Sequence, residues 1–351
     1  MRVVVVGATG NVGTSLVEAL SREPRVDSIV GLARRLPELE FDRTDWVSAD
    51  VARDDLAPVF RGADAVVHLA WAIQPSRDPA RLWVTNVVGS TRVFRAVAEA
   101  GVQTLVHASS VGAYSPGPHD RAVGEDWPTE GIRTSLYSIH KAEVERRLDR
   151  FEQEHPEVRV VRLRPALTFK RGAASGVRRL FAGPFLPSPL VRPAAIPVLP
   201  DIPGLRFQAV HSADVAEAYR LALVSEARGA FNVAAEPVLE PEVLARTLDA
   251  RRLKIPARFV RLAVDTTWRL RLQPTPPGWL DLALGSPILD TTRARADLRW
   301  APARKATDAL LELMKGVREG AGEATPPLGA DTSGPARIRE LTTGVGEREG
   351  A

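Results

Sequence analysis

The chain opens Arg2-Val3-Val4-Val5-Val6-Gly7-Ala8-Thr9-Gly10-Asn11-Val12-Gly13, and this stretch decides the fold. Four consecutive valines ahead of a glycine predict a short strand buried on both faces. Apolar residues at helical spacing follow over 15–20. Strand, glycine turn and helix in immediate succession are what a phosphate-binding loop requires. The glycines allow a tight turn and a close approach of pyrophosphate, and the helix N-terminus presents free N–H groups to the anion. A plain strand-to-helix turn needs only one or two of these glycines.

Working outward, residues 26–33 read as a second strand ending in Arg34-Arg35. An acidic residue at that end binds a ribose 2′-hydroxyl, whereas an Arg accommodates a 2′-phosphate. Arg34 therefore favours NADP(H), with NAD(H) the second choice; two solvent-facing arginines are the plainer alternative. A third strand over 46–49 ends at Asp50-Val51, with Asp50 placed to bond an adenine amino group. A fourth over 65–70 ends in Leu69 and Ala70, which line the path of a cofactor. A helix from about 79 or 82 to 100 contains Asn86, a fifth strand over 104–108 ends in Ser109-Ser110, and a sixth over 158–163 is closed by Arg164-Pro165. Strands alternating with helices predict an α/β fold, a parallel sheet with helices on both faces. Ligands bind such sheets at the strand C-terminal ends, where Gly7, Asp50, Ala70 and Ser110 all fall.

Past Pro165 the texture changes. Residues 185–203 are proline-rich and predict a loop covering a pocket. Residues 207–211 are strand-like, Ser212-Ala213-Asp214 caps a helix reaching 224, and 229–235 read as a strand returning to the main sheet. Amphipathic helices are expected over 241–248, 257–272 and 307–317. The organisation expected is a dinucleotide-binding domain over 1–165 rejoined by 206–235, a smaller, mostly helical substrate region over 166–205 and 236–320, and a disordered tail over 321–351.

The 351 residues are 44% hydrophobic and 26% charged, as in an ordinary globular protein. With no Cys, disulfides, thiolate metal sites and a Cys nucleophile are excluded. No apolar stretch reaches membrane-spanning length, so a cytoplasmic protein without a membrane partner is expected. The net charge is +4, and the basic clusters at 170–179 and 251–261 read as solvated faces ahead of a nucleic-acid surface, so no nucleic-acid partner is expected. No His, Asp or Glu cluster has metal-ligand spacing, and no metal is expected.

Chemistry enters with Tyr137 and Lys141, four apart on a predicted helix and so on one face, one turn apart. An ammonium near a phenol favours the phenolate, and such a Tyr exchanges a proton with a carbonyl or alcohol near neutral pH. Ser110, at a strand end on the ligand side, is placed to hydrogen-bond the same substrate oxygen and stabilise the charge that develops there. Ser109 points the opposite way. His68 and His107 read as packed core, His140 as exposed, and Asp120, Glu125 and Asp126 as loop residues before Tyr137 that are usually only solvated.

The sequence resembles the extended short-chain dehydrogenase/reductase superfamily in its epimerase/dehydratase-like branch. The matching pieces are GATGNVG at 7–13, HLA at 68–70, HASSVGAY at 107–114, YSIHK at 137–141, RLRP at 162–165 and HSADVAEAY at 211–219. The resemblance implies a Rossmann-type doubly wound sheet and a catalytic set of Ser110, Tyr137 and Lys141, with Lys141 also reaching the nicotinamide ribose. It implies pyrophosphate binding by Gly7, Gly10 and Gly13 with backbone donors from Asn11 and Val12, and a place for Asn86 either organising the site or packing its helix. Two departures bear on substrate. The run Arg164-Pro165-Ala166-Leu167-Thr168-Phe169 lacks the Asn with which nucleotide-sugar members contact the diphosphate, and 166–205 is mostly apolar, Pro and Arg. The expectation is thus an NADP(H)-dependent oxidoreductase acting on a small, fairly apolar carbonyl or secondary alcohol. The alternatives are a nucleotide-sugar epimerase or dehydratase with tightly held cofactor, and a non-catalytic NADP-sensing module. A homodimer through the helices around 79–100 and 137–154 is expected by analogy.

Overall fold

The computed structural model describes residues 1–74, 77–118, 120–182, 191 and 196–330. Most of the loop expected over 185–203, and the tail beyond 330, lie outside the described residues. The first half runs β1 (Arg2–Val6), α1 (Asn11–Ser21), β2 (Ser28–Ala33), β3 (Thr44–Ser48), α2 (Ala57–Phe60), β4 (Ala65–His68), α3 (Pro79–Trp83), α4 (Gly89–Glu99), β5 (Thr104–Ala108), β6 (Ala122–Val123), α5 (Leu136–Glu154) and β7 (Arg159–Pro165). The second continues with β8 (Leu167–Phe169), α6 (Ala174–Phe181), β9 (Val198–Asp201), β10 (Phe207–His211), α7 (Ser212–Val224), β11 (Gly229–Val233), β12 (Ala235–Leu239), α8 (Pro241–Leu248) and β13 (Arg251–Lys254). It ends with α9 (Ala257–Arg269), α10 (Gly278–Gly285), β14 (Ile288–Leu289), α11 (Thr292–Asp297) and α12 (Ala306–Glu319).

The central sheet has seven parallel strands in the order β11-β7-β5-β4-β1-β2-β3, a Rossmann-type doubly wound arrangement. Its core follows from the period-two alternation of strand side chains. Val3 and Val5 face α1 and α7, packing with Leu16, Val17, Val215 and Ala218. Val4 and Val6 face the other way, toward Phe60, Val93, Phe94, Val144 and Leu148. Each such side chain, wholly removed from water, contributes roughly 1.5–3 kcal/mol. Because β1 pairs with β2 on one side and β4 on the other, the order reverses at its C-terminal end. That reversal opens a crevice beyond Gly7.

Four expectations change here. Of the two strands in 206–235, only β11 joins the central sheet; β10 pairs with β8 and β12 in a separate three-stranded sheet. The helix expected over 79–100 is interrupted by a wide turn over Val84–Val88, which carries Asn86, and such turns often occur at functional positions. The tail does not begin at 321: Thr325 and Leu328 are buried, and 321–330 pack against α1, α6 and α12. The N-cap of α7 is His211, whose Nδ1 accepts from the Ala213 amide at 3.1 Å, rather than Ser212 or Asp214. Among the described residues no helix is long and apolar enough to cross a membrane.

Candidate active site

The strand ends open into a cavity of about 770 Å³ whose walls come from both halves of the chain. At one end lies the glycine loop. Gly7 has φ +86°, and a Cβ there would stand 2.6 Å from the Ala70 amide nitrogen, so the loop passes only as glycine. Gly10 precedes α1 without a side-chain cap, which leaves the first-turn amides of Asn11, Val12 and Gly13 without intrahelical acceptors. All four of these residues line the cavity. The Asn11 side chain is spent on structure: its Nδ2 donates to the Thr168 carbonyl at 2.9 Å, and its Oδ1 accepts from Ser212 at 2.7 Å. A positive-φ glycine and unsatisfied helix amides at a cavity wall fit a dinucleotide pyrophosphate.

Of the other expected cofactor contacts, Leu69 lines the cavity and Ala70 packs beneath Gly7. Arg35, not Arg34, reaches the cavity wall, as alternation beyond a strand end dictates. Asp50 and Val51 lie off it. The Asp50 carboxylate accepts from the Ala52 amide at 3.0 Å, and Val51 is buried in the core.

At the other end Ser110, Tyr137 and Lys141 line the same cavity. Ser110 follows β5 and caps the short turn Val111–Ala113, accepting from the Gly112 amide at 3.0 Å. A Cβ on Gly112 would meet the Tyr137 ring at 2.7 Å, so this turn passes directly beneath the phenol. Burial pushes the Tyr137 hydroxyl up to about 12, with the Ser110 hydroxyl pulling the other way. The Lys141 ammonium donates to the Ala108 carbonyl at 2.8 Å and lies 3.5 Å from the centroid of the Trp71 ring, but 5.9 Å from that of Tyr137. Burial lowers Lys141 to about 7, and Glu145 opposes that shift. The expected depression of the Tyr137 pKa by Lys141 is thus corrected: in this geometry desolvation of the phenol outweighs an ammonium directed at a carbonyl and an indole face.

Behind the site, Glu145 continues the face of α5 that carries Tyr137 and Lys141. It accepts from Ser109 at 2.5 Å, from Arg162 at 2.8 Å, and from Arg164 at 2.8 and 3.1 Å. Burial pushes this carboxyl up, but Arg164, Arg162 and the Ser109 hydroxyl outweigh it and hold it at about 2. Arg164 also donates to Tyr114, whose hydroxyl donates to Asn232. Glu125 belongs to the same structure, accepting from the Asn232 amide at 2.8 Å, while Asp120 and Asp126 are exposed.

Asn86 accepts from the Ala72 amide at 2.7 Å and donates to its carbonyl at 2.8 Å, fixing the backbone next to Trp71. His68 and His107 are buried, and desolvation lowers the pKa of both. His140 is buried rather than exposed: α5 packs against Val84–Val88 and α4, and the His140 ring meets Trp83 edge-on at 5.3 Å. Among the described residues no cluster of His, Asp or Glu has the arrangement to hold a metal ion.

Sequence reasoning did not find two further parts of the cavity. The first is an aromatic wall: Trp71 meets Tyr137 edge-on at 5.8 Å, Tyr137 lies 4.9 Å from Trp279, and Trp279 meets Phe181 at 4.9 Å. Only Trp71, immediately after the HLA run, carried a positional signal. The second is the segment 321–330, which supplies Pro326, Pro327 and Leu328 to the cavity. Its Glu323 accepts from Thr14 of α1 at 2.7 Å and pairs with the buried Lys170 at 2.7 Å.

A doubly wound sheet with a glycine loop at one end of the cavity and a Ser, Tyr and Lys set at the other defines a dinucleotide-binding α/β enzyme class. The profile of the NAD dependent epimerase/dehydratase family matches residues 3–234, and the chain belongs to that enzyme family, of the extended short-chain dehydrogenase/reductase type. An uncharacterized protein of Mycobacterium tuberculosis is 27% identical over 322 residues, 91% of this chain but 30% of that protein. The UDP-glucose 4-epimerase of Mycolicibacterium smegmatis is 33% identical over 141 residues, 36% of this chain and 44% of the epimerase. The chain therefore spans less than half the length of these relatives. The solved structure of MoeE5 with UDP-glucuronic acid and NAD shares the fold at TM-score 0.67 and 20% identity, covering 91% of this chain and 99% of that one.

Proposed function

We propose that the protein is an NADP(H)-dependent oxidoreductase that interconverts a carbonyl and a secondary alcohol on a small, fairly apolar substrate. The observation that carries this reading is the placing of the Tyr137 and Ser110 hydroxyls against the aromatic wall of Trp71, Trp279 and Phe181, in the cavity that the glycine loop also enters. A bound nicotinamide cofactor supplies or accepts the hydride. The amides of Asn11, Val12 and Gly13 hold its pyrophosphate, and Arg35 with Arg34 offers cations where no carboxylate ends β2, which favours a 2′-phosphate. Ser110 orients the substrate oxygen, and Tyr137 delivers a proton to that oxygen or removes one from it. Lys141, one turn along α5 from Tyr137, would reach the nicotinamide ribose of the bound cofactor. An apolar wall excludes water from the reacting carbon and accepts a substrate body with few polar groups.

The test is NADPH oxidation with a panel of apolar ketones and aldehydes, alongside fluorescence measurement of NADPH binding. Tyr137→Phe should lower turnover by about 10²–10⁴-fold while leaving cofactor binding within a fewfold of wild type. Unchanged turnover in that variant defeats the mechanism. A second reading, a nucleotide-sugar epimerase with retained cofactor, draws on the fold shared with MoeE5 and on the closure of the loop end by 321–330. Thermal stabilisation by a uridine diphosphate sugar, with no NADPH turnover on any carbonyl compound, favours that reading.

A further inference from the structure

The basic cluster that begins at Arg251 plays no part in the cavity chemistry, and its surroundings are unusual. Between 251 and 272 stand seven Arg or Lys residues and one Asp, so this segment alone exceeds the chain's net +4. It is also where apolar surface is exposed. Of the ten large hydrophobic residues exposed among the described residues, five lie here, Leu253 on β13, Phe259 and Leu262 on α9, and Leu270 and Leu272 just beyond it, and a sixth, Val198, is on β9, the strand paired with β13. All four residues of β13 are exposed, and α9, a helix of 13 residues, buries none.

The helix is sorted by face. Val260, Val264, Thr267 and Trp268 turn toward the body of the protein and are half-buried, whereas Phe259, Leu262 and Leu270 form an outward stripe at helical spacing. Arg258, Arg261 and Arg269 flank that stripe. Arg252, Arg261 and Arg269 are paired with Asp201, Asp281 and Asp265, but Arg251, Lys254 and Arg258 have no carboxylate in ion-pair reach among the described residues. Arg258 instead lies over the Phe259 ring at 4.9 Å. Directly after the segment, Pro274 and Trp279 enter the wall of the cavity, and Thr275 donates to the Phe181 carbonyl at 2.6 Å.

We propose that β13, α9 and residues 270–272 form an interfacial docking face for an anionic lipid bilayer, placed at the rim of the cavity. Charge decides the occupant. A second copy of the chain would bring its own Arg251, Lys254 and Arg258 against these, whereas a surface of anionic headgroups neutralises them and takes Phe259, Leu262 and Leu270 into the acyl boundary. Nucleic acid would satisfy the cations but leave the aliphatic stripe in water. The face is interfacial and spans nothing. It revises the expectation of no membrane partner, and it stands whether or not the proposed oxidoreductase activity does.

The test is co-flotation of the full chain with phosphatidylcholine vesicles, with and without phosphatidylglycerol. Binding is expected only with phosphatidylglycerol and should weaken as sodium chloride is raised. Arg251→Glu with Lys254→Glu and Arg258→Glu should weaken it by at least about tenfold. Phe259→Ser with Leu262→Ser should weaken it comparably at low salt. These side chains are exposed, and unchanged thermal melts establish that both variants are folded. Three results would overturn the proposal: no flotation of folded wild type, flotation unaffected in both variants, or a concentration-dependent dimer that the serine variant dissociates in the absence of vesicle binding. Retention on duplex DNA that the glutamate variant loses and the serine variant keeps, without flotation, would assign the face to nucleic acid and overturn it equally.

Discussion

The Ser109 hydroxyl donates to the Glu145 carboxylate, two turns along α5 from Tyr137. Through this bond, and through the Arg162 and Arg164 guanidinium groups on the same carboxylate, the helix carrying Tyr137 and Lys141 is tied to the strand end carrying Ser110. The register of the three candidate catalytic groups thus depends on one buried charge cluster behind them.

Removing that charge should be expensive. Glu145→Ala leaves two buried guanidinium groups short of a partner, and a loss of about 3–5 kcal/mol is expected by chemical denaturation. The dependence on pH has a definite sign. A carboxyl held at about 2, below its ordinary 4.5, contributes stability that is present above 4.5 and is lost as pH falls toward 2. The gap between wild type and Glu145→Ala should therefore close over that window; a gap constant with pH would show that the carboxylate charge is not what stabilises the cluster.

Lys141 carries the same sign in a higher pH window. With its folded value lowered to about 7 from 10.5, the unfolded chain binds more protons between those limits, and this group's contribution to stability rises with pH across them. A dinucleotide brings negative phosphates into the same cavity and favours the ammonium. Titration calorimetry at about pH 8 in buffers of different ionisation enthalpy should register net proton uptake on NADPH binding, and Lys141→Met should abolish it. Binding without uptake in wild type would refute this.

Trp71 holds the Lys141 ammonium against its face and forms one end of the aromatic wall. Trp71→Ala should lower kcat/KM for an apolar carbonyl substrate about tenfold, the scale of roughly 1–2 kcal/mol of lost cation–π attraction and packing. The same change should move the alkaline limb of the pH–rate profile as water reaches Lys141 and its pKa climbs. A fall in rate with an unmoved profile would leave Trp71 as a packing residue alone.

Residues 321–330 close the loop end of the cavity. Deletion from residue 321 onward removes Pro326, Pro327 and Leu328 from the wall and releases Thr14 and Lys170 from Glu323. Stopped-flow release of NADPH should be at least about tenfold faster, within the range by which lost contacts usually act on dissociation. An unchanged release rate would show that the segment does not retain the cofactor.

What the sequence made legible was local. Gly7 to Gly13 and the Tyr137–Lys141 spacing are patterns in which a few adjacent residues dictate both geometry and chemistry. The sheet followed from strands and helices that alternate along the chain. The parts that escaped are tertiary. The aromatic wall gathers Trp71, Phe181 and Trp279 from three separate segments, and Glu323 reaches Thr14 across almost the whole chain. The raised pKa of Tyr137 and the burial of His140 depend on what packs above a helix face, which spacing does not reveal. The composition of the tail is polar and irregular, but burial of Thr325 and Leu328 and the contacts of Glu323 with Thr14 and Lys170 hold 321–330 to the body.

The cluster on Glu145 also sets which parts of this protein are free to diversify. Ser109, Glu145, Arg162 and Arg164 share one carboxylate, so a change at any of them strands the others and only compensated, simultaneous replacements are tolerated. Trp279 and Phe181 meet their neighbours through ring faces and edges, which other rings and aliphatic groups can replace singly. The aromatic wall can therefore change by single steps while the scaffold that registers the Ser110 and Tyr137 hydroxyls stays fixed behind it.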